Sequence, residues 1–158
     1  MAQAQFAPPP ADFSYGAAND AAELKLSLSI FADRAHLRDQ MRDDATGVGF
    51  RIAEASAIAA LHAAQPRALG EVVLVDCPVV DAATLAALAR LDLRAAHSGA
   101  TLVVSTTVAA LDDVFACLDQ SNPHILVEPG RAERLVALGQ VLSRIPRAAG
   151  ARTVGGRP

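Results

Sequence analysis

Aromatic side chains are scarce in this chain: five Phe, one Tyr and no Trp. Proteins that hold single-stranded nucleic acid stack bases on several such rings, so that mode of binding is excluded. Lysine is almost missing as well. Lys25 is one of 14 basic residues, and the rest are arginine. The formal net charge is −3, so there is no basic field for DNA, and no direct nucleic-acid binding is expected. The two cysteines, Cys77 and Cys117, lack the spacing of a metal site and sit among apolar neighbours, as buried free thiols do. No apolar run approaches the ~20 residues that span a bilayer. The N-terminus lacks the charged and then apolar stretch of a secretory signal. A cytoplasmic protein without membrane association is the expectation. There is no Gly-x-Gly-x-x-Gly after the first strand and no Walker A pattern, so nucleotide binding has no support.

What is present suits one domain with tails. The chain has 158 residues, 52% of them hydrophobic, and much of that fraction is alanine. Residues 1–22 carry Pro8-Pro9-Pro10 among Ala, Gln and Gly and read as a disordered arm. The folded domain is expected over 23–145. Residues 146–158, with Arg147, Arg152 and Arg157 among Gly and Ala, read as a disordered basic tail.

The key stretch is Glu71-Val-Val-Leu-Val-Asp76-Cys77-Pro78. Four apolar residues, three of them β-branched, end on an acid, and a proline stops the ladder. This is a central strand buried on both faces, with Asp76 at its carboxyl edge, where open parallel sheets bind ligands. Other strands are expected at Leu24–Phe31, Phe50–Glu54, Thr101–Ser105 and His124–Val127. Helices are expected from Arg34 to about Asp44 with Asp33 as cap, over Ser56–Ala64, from Asp81 to His97, from Val108 to Asp119, and from Arg131 to Arg144. Strands that alternate with helices imply right-handed parallel crossovers. The predicted fold is a flavodoxin-like, doubly wound, five-stranded parallel sheet of order 2-1-3-4-5 in three α/β/α layers.

Asp33 after the first strand, Asp76 ending the third, Ser105-Thr106 ending the fourth and Val127-Glu128-Pro129 after the fifth make this chain resemble the response-regulator receiver family. Asp33 precedes Asp76 by 43 residues, and Thr106 and Glu128 follow it by 30 and 52. The likeness covers about residues 24–144. It implies Asp76 as phosphoryl acceptor, Asp33 and Asp76 as carboxylates for Mg²⁺, and Thr106 or Ser105 as the switch hydroxyl. In such transfer a metal and a cation offset the charge that spreads over the phosphoryl oxygens.

The departures from that pattern matter as much. Ala32 stands where a second acid is usual, Glu128 replaces the lysine before the proline, and Ile125 replaces an aromatic switch residue. Asp33, Asp76 and Glu128 are then expected to converge without a matching cation, unless Arg131 folds back from the last helix. Two charges ~4 Å apart at an effective dielectric near 20 interact by roughly 4 kcal/mol. A dianionic phosphoryl group would meet repulsion there. The resemblance is therefore to a degenerate receiver, a pseudo-receiver of the kind that precedes DNA-binding domains in bacterial transcription regulators. It implies a non-catalytic signalling domain with no cofactor, working through a protein partner or as a homodimer. The expected interface comprises Asp112, Asp113 and Phe115 on the fourth helix against Arg131 and Arg134 on the fifth, self-complementary across a two-fold axis. Two alternatives stand beside it. One is a phospho-accepting receiver that uses Asp76. The other is an anti-sigma-antagonist (STAS-like) module, which Asp81-Ala-Ala-Thr-Leu85 and Ser98-Gly-Ala-Thr-Leu-Val-Val-Ser105 resemble.

Overall fold

The computed structural model describes residues 25–62 and 69–144. The arm at 1–22, the tail at 146–158 and the residues around Pro66 lie outside that set. Five parallel strands form one sheet: β1 (Ser27–Ala32), β2 (Arg51–Ser56), β3 (Val72–Cys77), β4 (Thr101–Thr106) and β5 (His124–Val127). Their order is β2-β1-β3-β4-β5, as the chain pattern predicts. Four α-helices flank the sheet: α1 (Ala35–Val48), α2 (Ala82–Ser98), α3 (Leu111–Cys117) and α4 (Arg131–Arg144).

Side chains alternate across a strand, and that period divides the core in two. Val73, Val75 and Cys77 of β3 join Leu102 and Val104 of β4 beneath α2 and α3, with Leu88, Leu91 and Val114. Val72 and Leu74 join Ile30 and Val103 on the other face, under Met41 of α1 and Leu138 and Val141 of α4. Asp76 shares the parity of Val72 and Leu74, so it opens onto the α1/α4 side. Register then sets a row across the carboxyl edge of the sheet: Ala32, Asp76, Ser105 and Leu126.

Several boundaries differ from expectation, each for a local reason. The helix expected over Ser56–Ala64 is not an α-helix in its described part. Ser56 ends β2, and Ile58–His62 is a single stretch of 3-10 helix. Asp33 does not cap α1. Arg34 holds that position without a side-chain cap, and the Asp33 Oδ1 accepts from the Ile58 N–H instead, at 2.9 Å. α1 runs past Asp44 to Val48 because Gly49, at φ 124°, supplies the stop. α3 is shorter than expected, since Val108–Ala110 form a turn. In contrast, Asp81 caps α2 by accepting from the Thr84 N–H at 2.8 Å, and Gly99 closes it at φ 79°.

The alternation in β1 does not mark a wet face. Both faces are covered, and every residue from Ser27 to Ala32 is buried. The serines are satisfied by the chain that enters β3: the Gly70 N–H donates to Ser29 Oγ at 2.9 Å and the Glu71 N–H to Ser27 Oγ at 3.0 Å. The sheet's edges are β2, which carries Arg51 and Glu54, and β5, which has four residues between Pro123 and Pro129.

Candidate functional site

A cavity of about 480 Å³ opens at the carboxyl edge above Asp76. Arg34, Asp76, Ser105, Thr106, Glu128 and Arg134 are among its lining residues. Asp76 is buried at the end of β3 and both its oxygens are engaged. Ser105 Oγ donates to Oδ1 at 2.9 Å. The Arg34 guanidinium donates to Oδ2 through Nη2 at 2.8 Å and Nε at 3.3 Å. The expected cluster of acids without a cation is therefore wrong: Arg34 is the cation. It leaves β1 two residues after Ala32, which pairs with Asp76 in register, so its side chain reaches across one strand spacing.

The other acids diverge from Asp76. Asp33 is committed to Ile58, as described above. Glu128 turns toward the β4–α3 connection, where its Oε2 accepts from the Val108 N–H at 3.0 Å. Its own N–H donates to Thr106 O at 2.7 Å. Glu128 adopts φ 44°, a left-handed conformation that costs roughly 1–2 kcal/mol for a residue with a Cβ. Those two hydrogen bonds hold it there.

Of the two candidate hydroxyls, only Ser105 meets Asp76. Thr106 lies one residue on and so faces the opposite layer, where its Oγ1 donates to Cys77 O at 2.7 Å. Cys77 is no nucleophile: burial, with Asp76 next, pushes its thiol up to about 12. The thiol of Cys117 is also raised, chiefly by burial.

Arg131 does not fold back into this cavity. It pairs with Asp44 of α1, Nη2 to Oδ1 at 2.6 Å. Arg134, expected on an exposed interface, is buried. Its Nη2 donates to Gln40 Oε1 at 2.6 Å and its Nη1 to Pro129 O at 3.3 Å. Two of the three arginines of α4 are thus bonded to α1, Arg131 from the surface and Arg134 from a buried position, because α4 packs against α1 and they are the residues that reach it. Asp112, Asp113 and Phe115 are exposed.

The receiver resemblance implies Mg²⁺ between Asp33 and Asp76, and the residues present do not fit such an ion. A hard divalent cation wants several free oxygens. Here Arg34 and Ser105 occupy both oxygens of Asp76, Asp33 Oδ1 faces Ile58, and position 32 is alanine. Among the described residues no group of three metal-ligating side chains gathers anywhere.

Removing Arg34 tests the pair. In Arg34→Ala the carboxylate of Asp76 stays buried without its cation. The Arg34 side chain is 52% exposed, so water takes over part of its role. A loss of about 1–2 kcal/mol is expected in urea unfolding. Asp76→Asn is expected to destabilise as well, by about 1 kcal/mol, since Arg34 then loses an ionic acceptor.

No protein-family model matches this chain, and no curated protein matches it. Solved structures do. NtrX from Brucella abortus aligns with 74% of the chain at 16% identity and a TM-score of 0.56; the chain spans only 26% of NtrX. A CheY-like response-regulator receiver domain protein from Methanospirillum hungatei aligns with 75% of the chain at 15% identity and a TM-score of 0.55, over 94% of its own length. The phosphorylated cyanobacterial phytochrome response regulator RcpA aligns with 79% at 9% identity and a TM-score of 0.57, over 99% of its length. These neighbours are receiver domains of the CheY-like kind, and the five-stranded parallel sheet of this chain has their fold.

Proposed function

We propose that this domain is a degenerate receiver, a regulatory module that takes no phosphoryl group at Asp76 and acts through protein contact. The observation that carries the reading is the Arg34–Asp76 pair. Attack on phosphorus needs a free carboxylate oxygen with a metal beside it. In this chain the acceptor oxygen is bonded to a guanidinium of its own domain. Ala32 supplies no second acid, and Glu128 puts a negative charge on the cavity wall where the family's lysine would neutralise the incoming group. No catalytic step and no cofactor are assigned to the chain. Its place is in signal transduction or transcription regulation in a bacterium, in the cytoplasm. Among the described residues, no helix is long and apolar enough to cross a membrane.

A second reading has one observation in its favour. Arg34 is a cation beside Asp76, and it would serve a phospho-accepting receiver in place of the missing lysine. Acetyl phosphate with Mg²⁺, followed by intact mass, separates the two. No stoichiometric gain of one phosphoryl group is expected in the wild type or in Asp76→Asn. A full gain that Asp76→Asn abolishes establishes the second reading.

A further inference from the structure

Two opposite charges on the wall of the Asp76 cavity have no counter-charge. Arg34 and Asp76 neutralise each other. Arg134 and Glu128 line the same cavity, and neither has an ionic partner among the described residues. Arg134 is only 7% exposed. Its guanidinium meets two neutral acceptors, Gln40 Oε1 and Pro129 O, and its Nε has no acceptor. A cation buried without a counter-charge is costly. Glu128 is exposed. It spends Oε2 on the Val108 N–H, and Oε1 accepts no hydrogen bond among the described residues. It is also the one described residue other than glycine at positive φ, and backbone strain of that kind gathers at ligand sites.

Arg34 adds an open donor. Its Nε and Nη2 are given to Asp76, while Nη1 meets no acceptor among the described residues. Two guanidinium groups against one Asp76 carboxylate leave the buried side of the cavity positive. Glu128 makes the exposed side negative. Leu37, Pro78 and Pro129 supply apolar wall between them, and about 480 Å³ is the size of a small-molecule site. A simple oxyanion would suit the arginines but meet Glu128. A simple amine would suit Glu128 but leave Arg134 uncompensated. A molecule that carries both charges answers both.

We propose that this cavity binds a free amino acid as its zwitterion. The ligand carboxylate accepts from Arg34 Nη1 in the field of Arg134, the ammonium donates to Glu128 Oε1, and the side chain lies against the apolar wall. The inference rests on the reading that Asp76 takes no phosphoryl group, and it names what the same cavity takes instead.

Calorimetry and amide shifts of the ¹⁵N-labelled full chain test it, with L-leucine first and then the other standard L-amino acids. At least one is expected to saturate the protein, with shifts centred on Arg34, Asp76, Ser105 and Glu128. Its amide, which lacks the carboxylate, and its N-acetyl derivative, which lacks the ammonium, are each expected to bind roughly tenfold or more weakly. Glu128→Gln keeps an acceptor for Val108 and removes the charge. It is expected to abolish the advantage over the N-acetyl derivative and to keep the advantage over the amide. Arg34→Gln is expected to do the reverse. The comparison of derivatives needs no variant, so it decides the matter even if a variant fails to fold. No saturation by any amino acid at millimolar concentration overturns the proposal. So do shifts centred elsewhere, a derivative that binds as tightly as the free amino acid, or inorganic phosphate that does so. Phosphoryl uptake with amino-acid binding intact refutes only the degenerate-receiver reading, and failed binding without uptake refutes only this one.

Discussion

Asp92→Ala is expected to cost about 2–4 kcal/mol and to lower the melting temperature by roughly 5–15 °C. Asp92 lies on the inner face of α2 and is fully buried. A buried carboxylate is tolerated when donors surround it, and this one has three. The Gln120 N–H donates at 2.7 Å, the Ser121 N–H at 3.0 Å, and Ser121 Oγ donates to the same oxygen as its own N–H. All three come from the loop that joins α3 to β5. Alanine removes every acceptor at once, leaves a void in the core and releases the start of the edge strand. Asp92→Asn keeps the volume but points an amide donor at donors, and about half the loss is expected. Urea unfolding measures both. Amide exchange should rise first at residues 119–124. A loss below 0.5 kcal/mol for alanine would mean that the loop is held by its apolar contacts and not by the carboxylate.

Gly70→Ala is the second large effect. A Cβ at Gly70 would lie 2.9 Å from the Ser29 nitrogen and 3.0 Å from the carbonyl carbon and Cα of Leu28. Those are backbone atoms of a central strand, so no rotamer change relieves the clash, and β1 or the start of β3 must move. Moving them also strains the Gly70–Ser29 and Glu71–Ser27 hydrogen bonds. The expected cost is about 2–4 kcal/mol, at the upper end of overpacking. Gly47→Ala is the matched control. Gly47 lies inside α1 with nothing within 4 Å of the added Cβ, so alanine is expected to stabilise by about 0.5–1 kcal/mol. Opposite signs in two thermal melts check the argument. A neutral Gly70→Ala would show that the close approach is not obligatory.

The sequence makes the fold legible because its signals are local. Apolar β-branched runs that end at Asp76, Ser105 and Val127, and helices stopped by Gly99 or broken by Pro123, suffice for five strands and their order. The site is legible only in part. Asp76 and Ser105 are recoverable because strand ends mark the carboxyl edge. Arg34 is not read as part of the site because its partner is 42 residues away, and a long flexible side chain beside a helix start looks like a solvated charge. One signal was available: in the order 2-1-3-4-5, β1 borders β3, and Arg34 is the first cation after β1. Arg134 defeats sequence reasoning in the opposite way. Its charge suggests water, yet it is buried, with Gln40 and the Pro129 carbonyl accepting from its terminal nitrogens and its Nε left without a partner among the described residues. Asp92 is hidden too, since one acid in a helix of alternating Leu and Arg gives no hint that a distant loop folds over it.

The sheet's edges have a consequence for how the protein behaves in concentrated solution. β5 offers only four residues of open ladder. Pro123 stands before it, and Glu128 at positive φ followed by Pro129 turns the chain away behind it. On the other side β2 carries Arg51 and Glu54. Short, proline-bracketed or charged edges resist strand-to-strand recruitment. This domain therefore lacks an easy route to sheet extension, amyloid-like stacking or strand exchange. A contact made instead by side chains across helix faces yields to salt and to point substitution in a way that a shared ladder does not.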